Sequence, residues 1–141
     1  MQRMTRDEWR AFLLEQPRTA QLATVRADGR PHLAPIWFDL DGDTLVFTTW
    51  HESVKAANLG RDGRGCLGVD EEQPPFAFVQ LDGVATLSQD PAELRLWATR
   101  IAGRYIGAAL AEAYGQRNSV LGELLVRVAI TKVVAMKGIS E

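Results

Sequence analysis

The chain has 141 residues and a mass of 15.6 kDa, with 46% hydrophobic and 24% charged residues, the proportions of one folded globular domain rather than a disordered chain. A formal net charge of −2 argues against bulk nucleic-acid binding, which needs a basic excess, and no apolar run approaches the ~20 residues that span a bilayer. The N-terminal stretch from Met1 to Glu8 lacks the apolar core of a signal peptide and Cys66 is the only cysteine, so a cytoplasmic home is expected.

Residues 5–16 predict a helix: Thr5 and Glu8 fit a capping box, and Trp9, Phe12 and Leu13 share one helical face before Pro17 stops the run. Residues 20–26 predict a strand ending at the Asp28-Gly29 turn signal. The chain resumes in extended form over 32–39, where Pro31 and Pro35 demand an edge or a bulge. Asp41-Gly42 predicts a second turn and residues 44–49 a third strand, so these three strands read as an antiparallel meander. A short helix is expected over 52–59, a glycine-rich loop over 60–65, and strands over 66–70, 76–81 and 84–87, with Asp82-Gly83 as the turn between the last two. Asp90-Pro91 is a helix start with Leu94, Trp97, Ala98 and Ile101 on one face. A second helix is expected over 108–114, and a valine-rich extended segment over 123–136, broken near Thr131-Lys132. Short strands at regular spacing with helices at the periphery predict a mainly β fold, a small closed or partly open barrel.

Several chemistries are absent. There is no phosphate loop of the Walker type and no nucleophile elbow. Gly60, Gly63 and Gly65 follow a helix and precede a strand, the reverse of a dinucleotide fingerprint. His32 and His51 have no partner at ligand spacing, so no metal site is expected. Cys66 opens an alternating strand and reads as a small core residue.

Two segments say more. In the first, a strand ends in Thr48 and Thr49, and a helix begins with Ser53 and Lys55 in its first turn. The free N–H groups of a helix start favour an anion, and a lysine there opposes the helix dipole unless an anion sits beside it. A phosphate cradle and a solvated lysine beside an ordinary cap both fit these residues. In the second, Trp37 and Phe38 are adjacent on a predicted strand and must point to opposite faces. One of them is therefore left for a subunit contact or a planar ligand. Phe76 and Phe78, two apart on one predicted strand face, suit a core, an interface or a ring platform.

In this order the segments resemble the pyridoxamine 5'-phosphate oxidase-like superfamily of flavin and deazaflavin reductases. The carriers are Leu22-Ala23-Thr24-Val25, Asp28 to His32, Pro35-Ile36-Trp37-Phe38, Lys55 to Leu59 and Gly83 to Leu87. Arg104-Tyr105-Ile106-Gly107 and Val126-Arg127-Val128 resemble the coenzyme F-420-dependent branch. The resemblance implies a split β-barrel with Greek-key connections and about six to seven strands, an obligate homodimer and cofactor sites between the subunits. It implies that Lys55, with Thr48, Thr49 and Ser53, holds the cofactor phosphate, with Asn58 in the same helical motif. It further implies that Pro35, Ile36, Trp37 and Phe38 lie along the tricyclic ring, and that Phe76 and Phe78 come from the partner subunit. The implied activity is hydride transfer from reduced F-420 to a small planar acceptor. Alternatives are an FMN-dependent oxidoreductase and a non-catalytic carrier of the cofactor or of a tetrapyrrole. The cofactor would carry the chemistry, leaving His32 and Tyr105 as the only candidate proton donors. A polyglutamate tail on the cofactor would favour cations along the groove, for which Arg61, Arg64, Arg127 and Lys137 are candidates. Pyridoxamine oxidases proper carry a C-terminal stretch with basic residues and histidine; the sequence through Glu141 has none, so oxidation of pyridoxamine phosphate is not expected.

Overall fold

A computed structural model describes all 141 residues. In chain order the elements are β1 (Gln2–Arg3), α1 (Arg6–Glu15), β2 (Ala20–Val25), β3 (Pro31–Ile36), β4 (Asp39–Asp41), β5 (Thr44–Trp50), α2 (Val54–Arg61), β6 (Arg64–Glu71), β7 (Ala77–Ser88), α3 (Pro91–Tyr105), α4 (Ala108–Arg117) and β8 (Glu123–Lys137). The capping box of α1 is present, with the Glu8 amide donating to Thr5 Oγ1 at 3.2 Å and the Thr5 amide to Glu8 Oε1 at 3.0 Å. Asp90 caps α3 with a single bond, its side chain accepting from the Ala92 amide at 3.0 Å.

The strands form one antiparallel sheet in the order β3-β2-β6-β7-β8-β5-β4, with β1 added beside β8. Only Trp37 and Phe38 separate β3 from β4, yet these two strands lie at opposite ends of that path. The three residue steps from Ile36 to Asp39 reach no more than about 11 Å, so the sheet curls until its ends nearly meet. They do not pair, and the barrel is split there, as the family resemblance implied. The strand count is eight rather than six or seven, because β4 and β1 are short additions to the edges.

The expected three-stranded meander does not form. β2 and β3 make a hairpin, but β5 pairs with β8 and β4 instead of β3. Pro31 and Pro35 remove two of the six amide donors of β3, so it cannot offer a complete ladder to a second neighbour and stays at the edge. The expected turn at Asp82-Gly83 is also absent, for β7 runs straight through it. The register against β8 slips there, from Asp82 opposite Lys132 to Gly83 opposite Ile130. Thr131 is thus the extra residue of a bulge, the break foreseen in the last segment. Gly83 is required for close approach: a Cβ would lie 2.5 Å from Val128 Cγ1 and 2.7 Å from the Ala129 carbonyl oxygen. Phe76 precedes β7 with a left-handed φ of 62°, so it does not share a strand face with Phe78.

Two layers of packing follow from the strand alternation. Val46 and Phe47 are neighbours on β5, as Leu125 and Val126 are on β8, and all four are fully buried. Neighbours on a strand point to opposite faces, so both faces of these central strands are covered. Phe47 and Val126 enter the barrel core with Leu22, Phe38, Leu67 and Leu81. Val46 and Leu125 pack outward against Leu94 and Trp97 of α3. No helix is long and apolar enough to cross a membrane.

Candidate functional site

The curl of the sheet brings the end of β3 toward the end of β5, where the chain turns into α2. Pro35, Ile36 and Trp37 from the first, Thr48 from the second and Lys55 from the third line one cleft of about 290 Å³. Ile101 of α3 and Asn118, the residue after α4, complete the wall. Five of the expected site residues therefore meet across separate elements. Ile101 had been read only as part of a helix face, and Asn118 had no local signal at all.

Trp37 and Phe38 take opposite faces as the sequence requires: the indole is 46% exposed and the phenyl ring is fully buried. Phe38 belongs to the barrel core, so its side chain does not reach the cleft. What it supplies is backbone. Its N–H donates to the Tyr105 hydroxyl at 3.2 Å and its carbonyl accepts from Arg104.

The hydroxyls divide their roles. Thr49 is buried, and its Oγ1 lies 2.8 Å from Ser53 Oγ. Ser53 Oγ caps α2 by accepting from the Ala56 amide at 3.2 Å. These two side chains hold the helix start in place, and only Thr48 faces the cleft. Asn58 points inward, 4% exposed, its Nδ2 donating to Thr24 Oγ1 at 3.0 Å and so tying α2 to β2. The cap leaves the Val54 and Lys55 amides free at the first turn, which contains no acidic residue.

Lys55 is half-buried and pairs with no carboxylate. The other cations considered for the groove all have partners. Arg61 donates to the Val25 carbonyl and Arg64 forks onto Asp62. Arg127 bridges Asp41 and Glu93, and Lys137 pairs with Glu8. The Arg64 guanidinium holds the Asp62 carboxyl down at about 2. A larger cleft, about 630 Å³, lies between α1, the loop before β7 and the end of β8, and it contains Phe76. Both of its cations are paired, Arg18 with Glu71 and Glu15 and Lys137 with Glu8, and the lining is net acidic. Neither Phe76 nor Phe78 lines the Lys55 cleft of its own chain.

The two proton-donor candidates are placed differently. Tyr105 stacks on Trp37, with ring centroids 4.9 Å apart and planes 6° from parallel. Its hydroxyl donates to the Arg18 carbonyl at 2.6 Å, so its proton is committed, and burial pushes its pKa up. His32 sits on β3 opposite Thr24, outside the cleft, and its buried Nδ1 has no hydrogen-bond partner.

Comparison with known proteins agrees with this architecture. The model of the pyridoxamine 5'-phosphate oxidase family matches residues 5–137. The chain is 34% identical over 101 residues to the F420H(2)-dependent biliverdin reductase of Mycobacterium tuberculosis (strain CDC 1551 / Oshkosh), covering 70% of this chain and 71% of that protein. Among solved structures, the conserved hypothetical protein Rv2991 of Mycobacterium tuberculosis superposes with a TM-score of 0.84 at 25% identity, over 96% of this chain and 86% of that one. A structure described as an F420 reductase gives a TM-score of 0.69 at 25% identity, over 87% and 94% of the two chains. HutZ, the heme storage protein of Vibrio cholerae, shares the fold at 20% identity, with a TM-score of 0.71 over 96% of this chain and 95% of that one. With a family match spanning nearly its whole length, the chain belongs to the pyridoxamine 5'-phosphate oxidase family.

Proposed function

We propose that this protein is an oxidoreductase that transfers a hydride from reduced coenzyme F-420 to a small planar, conjugated acceptor, in a site completed by a second copy of the chain. The observation that carries this reading is the unpaired Lys55 at the start of α2, facing the flat wall of Pro35, Ile36 and Trp37 across one cleft. A phosphate beside a tricycle needs that pairing of charge and plane. The relative that is an F420H(2)-dependent biliverdin reductase favours the deazaflavin over FMN.

The residues present fit such a group. Lys55, the Thr48 hydroxyl and the free amides of Val54 and Lys55 offer donors to a phosphate. Ile36 and Trp37 give the ring an apolar face that excludes water. At about 290 Å³ the cleft falls at the small end of ligand sites, which run from about 300 to 1,000 Å³. A tricycle with a phosphate tail needs more wall, and a second subunit bringing Phe76 and Phe78 would supply it. The bound reduced deazaflavin supplies the hydride. The chain would position the ring and fix the phosphate. With the Tyr105 hydroxyl committed to the Arg18 carbonyl and His32 outside the cleft, the proton that completes the reduction of the acceptor would come from water at the open side of the cleft.

Separate anaerobic titrations with F-420 and FMN, followed by tryptophan fluorescence, test the cofactor. Binding of F-420 is expected to be the tighter; micromolar FMN binding with no deazaflavin binding would overturn the choice. Mixing with reduced F-420 and a panel of quinones, enones and tetrapyrroles tests turnover, and oxidation of the coenzyme no faster than background would make the protein a carrier. Sedimentation tests assembly, where a stable monomer that binds F-420 fully would remove the shared site.

A further inference from the structure

Trp37 occupies an unusual position. It lies in the two-residue crossing between the two ends of the sheet, outside any strand, and its indole is 46% exposed. An exposed side chain on an irregular segment ordinarily samples several rotamers. Here one face of the ring is covered by Tyr105, nearly parallel at 4.9 Å, while the indole also lines the Lys55 cleft.

Tyr105 is itself held firmly. It ends α3, and its hydroxyl has a partner on each side, donating to the Arg18 carbonyl at 2.6 Å and accepting from the Phe38 amide at 3.2 Å. Arg104 beside it donates to the carbonyls of Phe38 and Leu13, the latter at 3.0 Å. The crossing has no ladder to satisfy its backbone, and both polar groups of Phe38 are satisfied by this Arg-Tyr pair. Only a phenol offers a flat ring together with a donor and an acceptor at its far end.

We infer that Tyr105 is a positioning residue whose ring sets the plane of Trp37 against the cleft, and so sets affinity for the planar part of a ligand but not for its phosphate. The inference rests on the cofactor reading above for the ligand, but not for the Trp37–Tyr105 geometry, which is measurable in the free protein.

The experiment uses the full chain in a Trp50→Phe background, which removes the other exposed tryptophan while Trp9 and Trp97 stay buried. Tyr105→Leu and Tyr105→Met remove the plane, the second keeping more of the volume, and Tyr105→Phe keeps the ring. Three quantities are read: acrylamide quenching and anisotropy of Trp37, affinity for a phosphate-free deazaflavin riboside, and inorganic phosphate binding by phosphorus NMR line broadening. In the folded member of the leucine and methionine pair, quenching is expected to rise and deazaflavin riboside affinity to fall about three- to tenfold, the range of one aromatic pair. Phosphate binding is expected to be unchanged. The phenylalanine variant is expected to keep its deazaflavin riboside affinity within about twofold, since the stack persists. Equal losses of deazaflavin riboside and phosphate binding would show a merely structural role and overturn the inference. So would a loss in Tyr105→Phe as large as in Tyr105→Met, or unchanged quenching in a folded leucine or methionine variant. If the parent binds neither F-420 nor FMN, the cofactor reading fails, and the quenching comparison still decides the role of Tyr105.

Discussion

Replacing Lys55 with methionine should move stability and binding in opposite directions. In the free protein the ammonium has no carboxylate partner, and it sits in the first turn of α2 with no acidic residue to offset it. A cation at that end opposes the helix dipole by about 0.3–1 kcal/mol. Methionine keeps most of the half-buried stem, so the free protein should gain up to that amount, raising its melting temperature by about 1–4 °C. Binding loses the charge-assisted contact to phosphate, worth about 1.5–3 kcal/mol, which is roughly a 10- to 150-fold weaker dissociation constant. The assays are thermal unfolding of the unliganded variant at low salt and at 0.5 M salt, and fluorescence titration with F-420. Salt should shrink the stability gain, because the exposed part of the interaction is screened. A variant that melts lower than the parent would mean that Lys55 has a structural partner. An unchanged dissociation constant would remove it from the phosphate site.

Two further substitutions probe the frame and its acid sensitivity. Gly83→Ala puts a methyl group 2.5 Å from Val128 Cγ1 and 2.7 Å from the Ala129 carbonyl, and should cost about 1–3 kcal/mol in chemical denaturation; no loss would mean that the bulge yields freely. The Asp62 carboxyl is held from 3.8 down to about 2, first by its hydrogen bond to the Arg64 side chain. Its folded value lies below its unfolded one, so the stability it lends is full above pH 4 and lost as pH falls toward 2. Asp62→Asn should therefore flatten the acid limb of a melting-temperature profile in that window, and a parallel profile would show the pair to be screened out.

What could be read in advance was whatever short-range chemistry decides. Thr5 with Glu8, Asp90 with Pro91 and the Asp28-Gly29 hairpin each need only their neighbours, and each formed. Asp82-Gly83 carries the same dipeptide as Asp28-Gly29 and yet continues a strand, because what selects glycine there is the backbone of β8, some 45 residues further along the chain. The crossing at Trp37 and Phe38 was hidden for a related reason. Residues 32–39 read as one extended segment, and only the curl of the whole sheet breaks it at Trp37 and Phe38 into two strands at opposite ends. The candidate site divides in the same way. Lys55 and Thr48 carry local signals, a helix start and a hydroxyl, whereas Pro35 and Ile36 entered only through the family resemblance, and nothing local tells which of Trp37 and Phe38 faces outward. Thr49, Ser53 and Asn58 carry equally suggestive side chains but spend them on one another and on Thr24.

The two sides of the cleft are stabilised in different ways, and the difference bears on where function resides. Its apolar side is prepared before any ligand arrives, since the backbone of Phe38 is bound at both polar groups and Trp37 is stacked on a ring that is itself anchored. Such preorganisation lowers the ordering cost of binding. The polar side is left unsatisfied: a half-buried lysine without a counter-ion, two free amides and a helix dipole of the same sign. Elsewhere the chain avoids that arrangement, pairing Arg18 with Glu71, Arg64 with Asp62 and Lys137 with Glu8. Local rules are broken in folded proteins chiefly where a missing group restores them. An anion at the start of α2 would satisfy the lysine, the amides and the dipole together, and no other position around the cleft needs so much from one ligand.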